Sequence, residues 1–391
     1  MKLFSLWLAL LTALVGYAQE DFPYQLSVQI EEKLETDTVP WKYQVAAWEY
    51  SYIGEYQKML ESWDAGTGGP ATISSEEAAY FQAFRPVSAL DYILGRAVNE
   101  QLIIINEAHH QPRHRVFTTQ LLQGLYDHGF RFLGLEALAE EDTLLQERGY
   151  PIQSSGYYTK EPQFGNLIRE AIRIGYTLFP YEAGPGLNGK EREIEQARNI
   201  QQILEENPGA KVLLHCGFAH VVEGDYPAWE KAMAGRLKEF TGIDPLTINQ
   251  ERLSERSRPE LHNPYLNLVE LTEPSVFVRE DGAVFNGPEG KYEFDIRVGH
   301  PITTYVNGRP DWLLEGGKKR WLDIPVKEIS LSFPVLVLAY RAEESEDAVP
   351  VDIVELKTAE EGKKLALYPG GYRLLLRNAA GEEQILTLEA P

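Results

Sequence analysis

The stretch that decides the fold is LIIINEAHHQPRHRVFTTQLLQGLYDHGFRFLGLEAL, residues 102–138. It opens with a short, β-branched apolar run at 102–105, which is typical of a buried strand. Across 114–128 the apolar residues fall at helical spacing, and Gly129 follows where a helix cap belongs. A second apolar run occupies 130–135. The stretch therefore predicts a strand, a helix and another strand in succession.

The same alternation continues downstream. The pattern predicts helices at 162–174, 190–206 and 226–240, and strands at 176–181 and 211–214. Gly175 ends the first of these helices, and an Asn-Pro-Gly turn at 207–209 ends the second. Strands that alternate with helices are typical of a parallel sheet with helices on both faces. We therefore predict an α/β fold with a mainly parallel or mixed sheet flanked by helices.

Different patterns flank this segment. Residues 20–95 predict a mainly helical lead-in, with helices at 41–63 and 87–97 and a loop at 64–70. After about residue 265, apolar runs separated by turns predict strands at 266–271, 275–278, 292–298, 334–340, 350–356, 363–367, 371–376 and 383–388. The last of these are typical of a small β-sandwich, with its clearest turn at 368–372.

These patterns divide the chain into four parts. They are a signal peptide at 1–18, a helical lead-in at 19–84 packed on the main domain, the α/β domain at 85–325 and an Ig-like β-sandwich at 326–391. The signal prediction follows from Lys2, the apolar run at 3–15 and the small residues at 16–18. A membrane anchor is the alternative, but the run is short for a span. We expect an exported protein, periplasmic or secreted, with no membrane span after cleavage.

Composition narrows the possible partners. The chain is 43% hydrophobic and 25% charged, as expected of a globular protein. Its formal net charge of −22 repels nucleic-acid phosphate and anionic lipid, so we expect neither as a partner. A small-molecule or peptide substrate remains. Cys216 is the only cysteine, so no internal disulfide can form.

Chemistry is expected where the predicted strands end, because ligands of open α/β sheets bind at the carboxyl ends of the strands. The first strand runs into Asn-Glu-Ala-His-His at 106–110, and the fourth into His-Cys-Gly-Phe-Ala-His at 215–220. Glu136 follows the second strand and Glu182 the third. Five of the eight histidines lie in or beside the two segments: His109, His110, His114, His215 and His220. We predict that the groups at these strand ends converge in one pocket.

Each of these residues also has an ordinary structural interpretation. A glutamate after a strand is often a solvated loop residue or a charge at a helix N-terminus. Tandem histidines are often surface or core residues, and Cys216 resembles a small buried apolar residue. The histidines for which we expect a structural role are His128, His215, His262 and His300. It is the joint placement at four strand ends that favours a functional site.

Two segments resemble the erythromycin esterase, ChaN and TIKI superfamily. Residues 103–138 are similar to the family's opening strand, its turn with Glu and His, its helix and its Gly-Phe…Glu strand. Residues 192–224, REIEQARNIQQILEENPGAKVLLHCGFAHVVEG, resemble its Arg-x₄-Ala-x-Asn helix, the next strand and a closing Gly-x-x-His, here Gly217 to His220. The likeness covers roughly residues 85–325 and implies the α/β fold of that superfamily.

The chain departs from the family pattern at the first turn. Asn106 stands where the family has a glycine, although asparagine also tolerates a positive φ. The esterase branch has Glu-x-x-His, which corresponds to Glu107 and His110. The ChaN and TIKI branches place the histidine one residue earlier, at His109. Both spacings are present, so both histidines remain candidates.

The resemblance implies a hydrolase that cleaves an ester, amide or similar bond. His110 or His109 would activate water as a general base oriented by Glu136, and His220 would polarise the carbonyl or protonate the leaving group. Arg192 shares a helix face with Asn199 and would hold a carboxylate or stabilise an oxyanion. The predicted catalytic residues are Glu107, His109, His110, Glu136, Glu182, Arg192 and His220. The predicted substrate-binding residues are Asn106, His114 and Asn199.

Two alternatives use the same atoms. In the first, His109, Glu136 and His220 hold a Zn²⁺ or Mn²⁺ ion, as the resemblance to TIKI proteases implies. In the second, the protein binds haem or a metal without catalysis, as the resemblance to ChaN implies. The sequence therefore leaves three cofactor states open: no cofactor, a divalent metal, or haem.

Overall fold

The computed structural model describes residues 22–288 and 293–391, so the signal-peptide prediction falls outside the described residues. The lead-in is helical, as predicted. Its helices are α1 (Ser27–Thr36), α2 (Lys42–Tyr52), α3 (Tyr56–Thr67) and α4 (Ser75–Gln82). The single helix predicted at 41–63 was wrong in two respects. It is broken between α2 and α3, where Gly54 adopts a φ of 75°, and α3 continues to Thr67 into the predicted loop.

The strand–helix alternation begins after a short strand. In order, its elements are β1 (Arg85–Ser88), α5 (Ala89–Ala97), β2 (Leu102–Glu107), α6 (Pro112–Asp127), β3 (Phe130–Leu135), α7 (Leu145–Arg148), α8 (Pro162–Ile174), β4 (Thr177–Pro180), α9 (Gly189–Glu206), β5 (Lys211–Gly217), β6 (Asp225–Tyr226), β7 (Glu230–Lys231), α10 (Met233–Thr241), β8 (Leu246–Asn249), β9 (Ser275–Val278) and β10 (Ile296–Arg297). Gly129 and Gly175 both adopt a positive φ just beyond α6 and α8, as expected of helix caps.

The central sheet of the described residues has six strands in the order β10-β8-β2-β5-β3-β4. Every neighbouring pair is parallel. The predicted α/β class is therefore confirmed. The strand β8, which pairs with β2, has no counterpart in the sequence predictions, because only two of its four residues are apolar.

Helices cover both faces of this sheet. Ile103 and Ile105 of β2 face a core shared with α5, α6 and α8. Leu102 and Ile104 point the other way, into a core shared with α9 and α10. Side chains alternate between the two faces along a strand, and both faces are buried, which explains why β2 is apolar at four consecutive positions.

The C-terminal part is antiparallel. Its strands are β11 (Tyr305–Val306), β12 (Arg309–Pro310), β13 (Arg320–Asp323), β14 (Val335–Arg341), β15 (Asp352–Leu356), β16 (Lys364–Leu367), β17 (Gly370–Asn378) and β18 (Glu383–Ala390). A four-stranded sheet in the order β15-β14-β17-β18 and the β13–β16 pair share one buried core. This arrangement agrees with a small sandwich. β13 precedes the predicted domain boundary at 325/326, yet it pairs with β16 beyond that boundary.

The lead-in packs against both parts of the chain. Ile30 and Met59 of α1 and α3 share a core with Leu336 and Leu338 of the C-terminal sheet. Phe81 of α4 instead packs with aromatic residues of the α/β part, Phe277 and Phe285. α2 and α3 also pack on the α/β part, through Trp48 on Tyr158 and Trp63 on His110. The lead-in therefore contacts the main domain through α2–α4, and α1–α3 also lie against the C-terminal sheet.

Two other predictions were wrong. The helix predicted at 226–240 begins only at Met233, because residues 225–231 form the β6–β7 hairpin, in which Glu230 has a φ of 63°. The strand predicted at 266–271 is a turn of 3₁₀ helix at Leu266–Leu268 that follows an Asn-Pro pair, a common turn signal. Within the described ranges, no helix combines the length and the apolar character needed to cross a membrane.

Candidate functional site

Four neighbouring strands end at one edge of the sheet, and each brings a functional group there. Glu107 and Gly217 are the last residues of β2 and β5, Glu136 directly follows β3, and Glu182 lies just beyond β4. The strand order at this edge is β2-β5-β3-β4. With about 4.8 Å between neighbouring strands, the three glutamates are spread over roughly 14 Å of the edge. This span is short enough for long side chains to bridge.

Arg192, in the first turn of α9, joins several of these groups. Its Nε donates to Oε1 of Glu182 at 2.9 Å, and its Nη2 donates to Oε1 of Glu136 at 2.7 Å and to Oε2 of Glu182. Its Nη1 lies 2.9 Å from Nε2 of His220. A guanidinium has five N–H groups, and these contacts use four of them. One Nη1 hydrogen therefore remains, on a side chain that is 28% exposed.

Glu136 is held in its ionised form. Its Oε2 accepts a hydrogen bond of 2.6 Å from the backbone N–H of Gly217. Burial alone would raise the pKa of Glu136. Electrostatic interactions with His220, His109 and Arg192, together with the Gly217 N–H, outweigh burial and lower the pKa to about 2. Glu136 therefore remains an anion at neutral pH.

His220 is oriented by a buried carboxylate on α9. Its Nδ1 lies 2.8 Å from Oε2 of Glu193, which also accepts from the backbone N–H of Met233 at 2.8 Å. Nδ1–H donates to Glu193, so Nε2 carries the lone pair that faces Arg192. The ring also stacks on Trp229. Burial would lower the pKa of His220, but the charges of Glu136 and Glu193 raise it. When His220 is protonated, its Nε2–H has Glu136 Oε1 as an acceptor, 3.4 Å away.

Glu107 belongs to a second ion cluster, which is fully buried. Arg115 of α6 binds it through two hydrogen bonds, from Nε at 2.6 Å and from Nη2 at 2.7 Å. The Nη1 of Arg115 donates to Glu161 at 3.0 Å. Burial would raise the pKa of Glu107, but the charge of Arg115 and the hydrogen bonds from His109 and Arg115 hold it well below its usual range.

His109 connects the two clusters. Its Nδ1 lies 2.8 Å from Oε1 of Glu107, and its ring stacks on Tyr158 with 3.9 Å between ring centroids. The imidazole lies directly over Gly217, where a Cβ would clash with its Cε1 and Nε2. The Nε2 forms no hydrogen bond with the described residues, and the side chain is 12% exposed. Glu107 therefore fixes one ring nitrogen, and the other is left open above the Gly217 backbone that binds Glu136.

His110 turns into different surroundings. It is buried and stacks on Trp63 of α3, with 3.8 Å between ring centroids. It lines a cavity of about 190 Å³ together with Arg252, Arg256 and Asn263. Burial, and then nearby positive charges, hold the pKa of His110 well below its usual range. Glu107 contacts His109 and not His110. This is the spacing of the ChaN and TIKI branches.

The three predicted substrate-binding residues all have hydrogen-bond partners within the protein. Asn106 lies within β2 without a positive φ; its Nδ2 donates to the carbonyl of Phe218 at 2.7 Å, and its Oδ1 accepts from the backbone N–H of Gln250 at 2.7 Å. His114 accepts from the backbone N–H of Ala108 and contacts Ser254. Asn199 donates to the carbonyls of residues 181 and 182. Their role in substrate binding stays a prediction.

The residues do not form the predicted metal site. Within residues 22–288 and 293–391, no three His, Cys, Asp or Glu side chains come together as a metal site. The guanidinium of Arg192 lies between Glu136 and His220, and both ring nitrogens of His220 are engaged, by Glu193 and Arg192. His220 therefore offers no free lone pair to a zinc, manganese or haem iron, and His109 offers one at most.

Several residues of the site could not be identified from the sequence. Glu193 adjoins Arg192, but only the fold of α9 against the β5 loop turns it toward His220. Arg115 of α6 binds both Glu107 at the end of β2 and Glu161 at the start of α8. Phe218 has a φ of 40°, unusual for a non-glycine residue, and its carbonyl accepts from Asn106. This strained turn is what lets the chain leave β5 and return His220 to the edge.

The comparisons with known proteins are sparse. No family model matches the chain, and no curated protein gives a significant match. Two solved structures are similar to part of it. One is the type III effector HopBA1, with 12% identity over 56% of this chain and 96% of its own, at a TM-score of 0.36. The other is described as bacterial protein toxins, with 15% identity over 57% of this chain and 44% of its own, at a TM-score of 0.31. Likenesses this weak do not bear on function.

Proposed function

We propose that this protein is an exported hydrolase of the erythromycin esterase, ChaN and TIKI type, which cleaves an ester or amide-type bond by His/Glu acid–base catalysis without a metal. One observation carries the proposal: the Glu107–His109 pair leaves Nε2 of His109 open beside Gly217, next to a partly exposed arginine cluster. The superfamily itself is part of the proposal and rests on residues 103–138 and 192–224.

His109 serves as the general base. Its Nδ1–H donates to the carboxylate of Glu107, which Arg115 fixes from the other side. This fixes the tautomer with a lone pair on Nε2, the atom that takes a proton from water. The resulting hydroxide attacks the carbonyl carbon of the substrate. Glu107 thus takes the orienting role that the sequence assigned to Glu136.

Arg192 stabilises the oxyanion that forms in this step. Its one remaining Nη1 hydrogen has no partner among the described residues, while two carboxylates and His220 fix the guanidinium. A donor fixed in advance stabilises the developing charge without reorganising during the reaction. Glu136, Glu182 and His220 therefore position Arg192. The imidazolium of His109 then returns its proton to the leaving group, so that one residue acts as base and acid in turn.

Hydrolysis is tested with the purified protein and a panel of nitrophenyl esters and aryl amides, in the presence of a chelator. The proposal predicts turnover that a chelator leaves unchanged. His109→Gln should reduce kcat/KM by about 10²- to 10⁴-fold, the usual contribution of a positioned acid–base group. The matched control is His128→Gln, because His128 is an exposed histidine just beyond the far end of α6.

Three results would count against the proposal. Equal losses in the two glutamine variants would mean that His109 has no special role. Activity that appears only with added Zn²⁺ or Mn²⁺ would favour the metal alternative. A Soret band that shifts when haem is added, and that His109→Gln removes, would favour the haem alternative.

A further inference from the structure

A second cavity lies away from the candidate site. Its volume is about 600 Å³, within the range of about 300–1,000 Å³ in which small-molecule ligands usually bind. One stripe of α6 forms its floor: Arg113, Val116, Phe117 and Gln120, spaced at helical intervals. The rest of the wall combines apolar side chains, among them Leu90, Leu271, Ile302 and Trp312, with polar and charged ones. None of the residues that form the candidate site lines this cavity.

Arg113 is the cation of this cavity, and the nearby carboxylate of Glu255 only partly neutralises its charge. The residue is only 8% exposed. Its Nη1 donates to the carbonyl of Pro301 and lies 3.4 Å from both Oε1 of Glu255 and Oγ1 of Thr303. Glu255 is shared, because the backbone N–H of Thr303 also donates to it at 2.8 Å. Burial lowers the pKa of Arg113, as expected of a cation with too little compensation.

One whole edge of the Arg113 guanidinium is available. The contacts of Arg113 all go through Nη1, and Nε and Nη2 form no hydrogen bond with the described residues. These two N–H groups lie side by side on the planar guanidinium. In this geometry the two N–H groups can donate parallel hydrogen bonds to the two oxygens of a carboxylate.

We propose that this cavity binds a small amphipathic molecule with a single carboxylate. The carboxylate binds Nε and Nη2 of Arg113, and the apolar body packs on Val116, Phe117 and Leu271. Glu273 and Asp311 also line the cavity and are exposed. These two carboxylates repel every anion and repel a multiply charged anion more strongly, so a monoanion is the anion that fits best. The inference does not depend on the hydrolase proposal.

The test compares three probes of one shape by titration calorimetry: phenylbutyrate, phenylbutanol and phenylbutylamine. The carboxylate should bind at least about tenfold more tightly than the alcohol, and the amine more weakly still. Arg113→Gln should remove this preference. The control is Arg198→Gln, since Arg198 is exposed on α9.

A second variant keeps the test valid if Arg113→Gln fails to fold. Ile302 is 49% exposed, so Ile302→Asp adds a negative charge to the wall without removing buried groups. It should weaken the carboxylate at least about tenfold and leave the alcohol unchanged. The inference is overturned if the acid and the alcohol bind equally, if the amine binds best, if none of the probes binds, or if neither variant alters the order.

Discussion

Arg115 and Arg192 each bridge two glutamates at the same edge of the sheet, but their surroundings differ. Arg115 is completely buried between Glu107 and Glu161. Arg192 is 28% exposed between Glu136 and Glu182. The same arrangement, one arginine between two glutamates, therefore occurs once inside the protein and once where a ligand can reach it.

The difference in exposure indicates which cluster positions other residues of the site and which one can contact a substrate. In the buried cluster Nε, Nη1 and Nη2 of the arginine all have internal acceptors, including the backbone carbonyl of His109. That cluster fixes Glu107, and through it His109. In the open cluster one N–H of Arg192 has no internal partner, and solvent reaches the guanidinium. We therefore assign the fixing of geometry to Arg115 and contact with substrate to Arg192.

The largest expected effect concerns the buried cluster. Arg115→Met should reduce the free energy of unfolding by about 3–5 kcal/mol, because it leaves Glu107 and Glu161 buried without a counter-charge. Urea unfolding at neutral pH measures this loss. Arg198→Met is the control, and the added substitution Glu161→Gln should recover part of the stability. A loss below about 1 kcal/mol would mean that the two clusters do not differ in the way described.

The open cluster should give the reverse pattern. Arg192→Met should lower kcat/KM by about 10²- to 10³-fold, the usual effect of removing a donor that binds an oxyanion. Its effect on unfolding should be about 1 kcal/mol, since partly exposed ion pairs contribute little to stability. Steady-state kinetics and urea unfolding of the same preparation measure both. If Arg192→Met destabilised the protein as much as Arg115→Met, Arg192 would be structural too.

The pH dependence of the free energy of unfolding should show the contribution of the buried histidines. Burial lowers the pKa of His215 to about 4 and that of His114 to about 3. As the pH falls below about 6.5, the unfolded chain binds protons that the folded protein does not, so stability is lost. Each such histidine should cost about 1.4 kcal/mol per pH unit down to its folded pKa. His215→Gln should flatten the slope between pH 6 and pH 4 by about one proton, and His128→Gln should not.

The smallest expected effect concerns the turn that carries Glu182. Asn199→Ala removes hydrogen bonds of 3.3 and 3.1 Å to the carbonyls of Tyr181 and Glu182. It should cost about 0.5–1.5 kcal/mol of stability. Because Arg192 keeps its own contacts to Glu182, kcat/KM should fall less than about tenfold. A loss as large as that of Arg192→Met would place Asn199 in contact with substrate, as the sequence first indicated.

The sequence was sufficient for β2, β3, β4 and β5 and for the edge at which they end. The apolar runs of β2, β3 and β5 are buried on both faces, so their pattern is strong, and the residues after them fall together in a parallel sheet. Glu136, Glu182 and His220 could therefore be grouped without a structure. β8 was not predicted, because only two of its four residues, Leu246 and Ile248, are apolar.

The sequence could not decide between His109 and His110. Both spacings from Glu107 are present, and the choice depends on partners that are distant in sequence. Tyr158 stacks on His109, and Trp63 of α3 stacks on His110. The hydrogen bonds of Asn106 and His114 could not be predicted for a similar reason, since their partners Gln250, Phe218 and Ser254 come from other parts of the chain.

The most direct test compares His109→Ala with His110→Ala on one ester substrate, with kcat/KM corrected for the folded fraction. We predict that His109→Ala loses about 10²- to 10⁴-fold, as expected when an acid–base group is removed. His110→Ala should keep its activity within about tenfold and lose mainly the stability of its stack on Trp63. The opposite order, with His110→Ala inactive and His109→Ala active, would contradict the account.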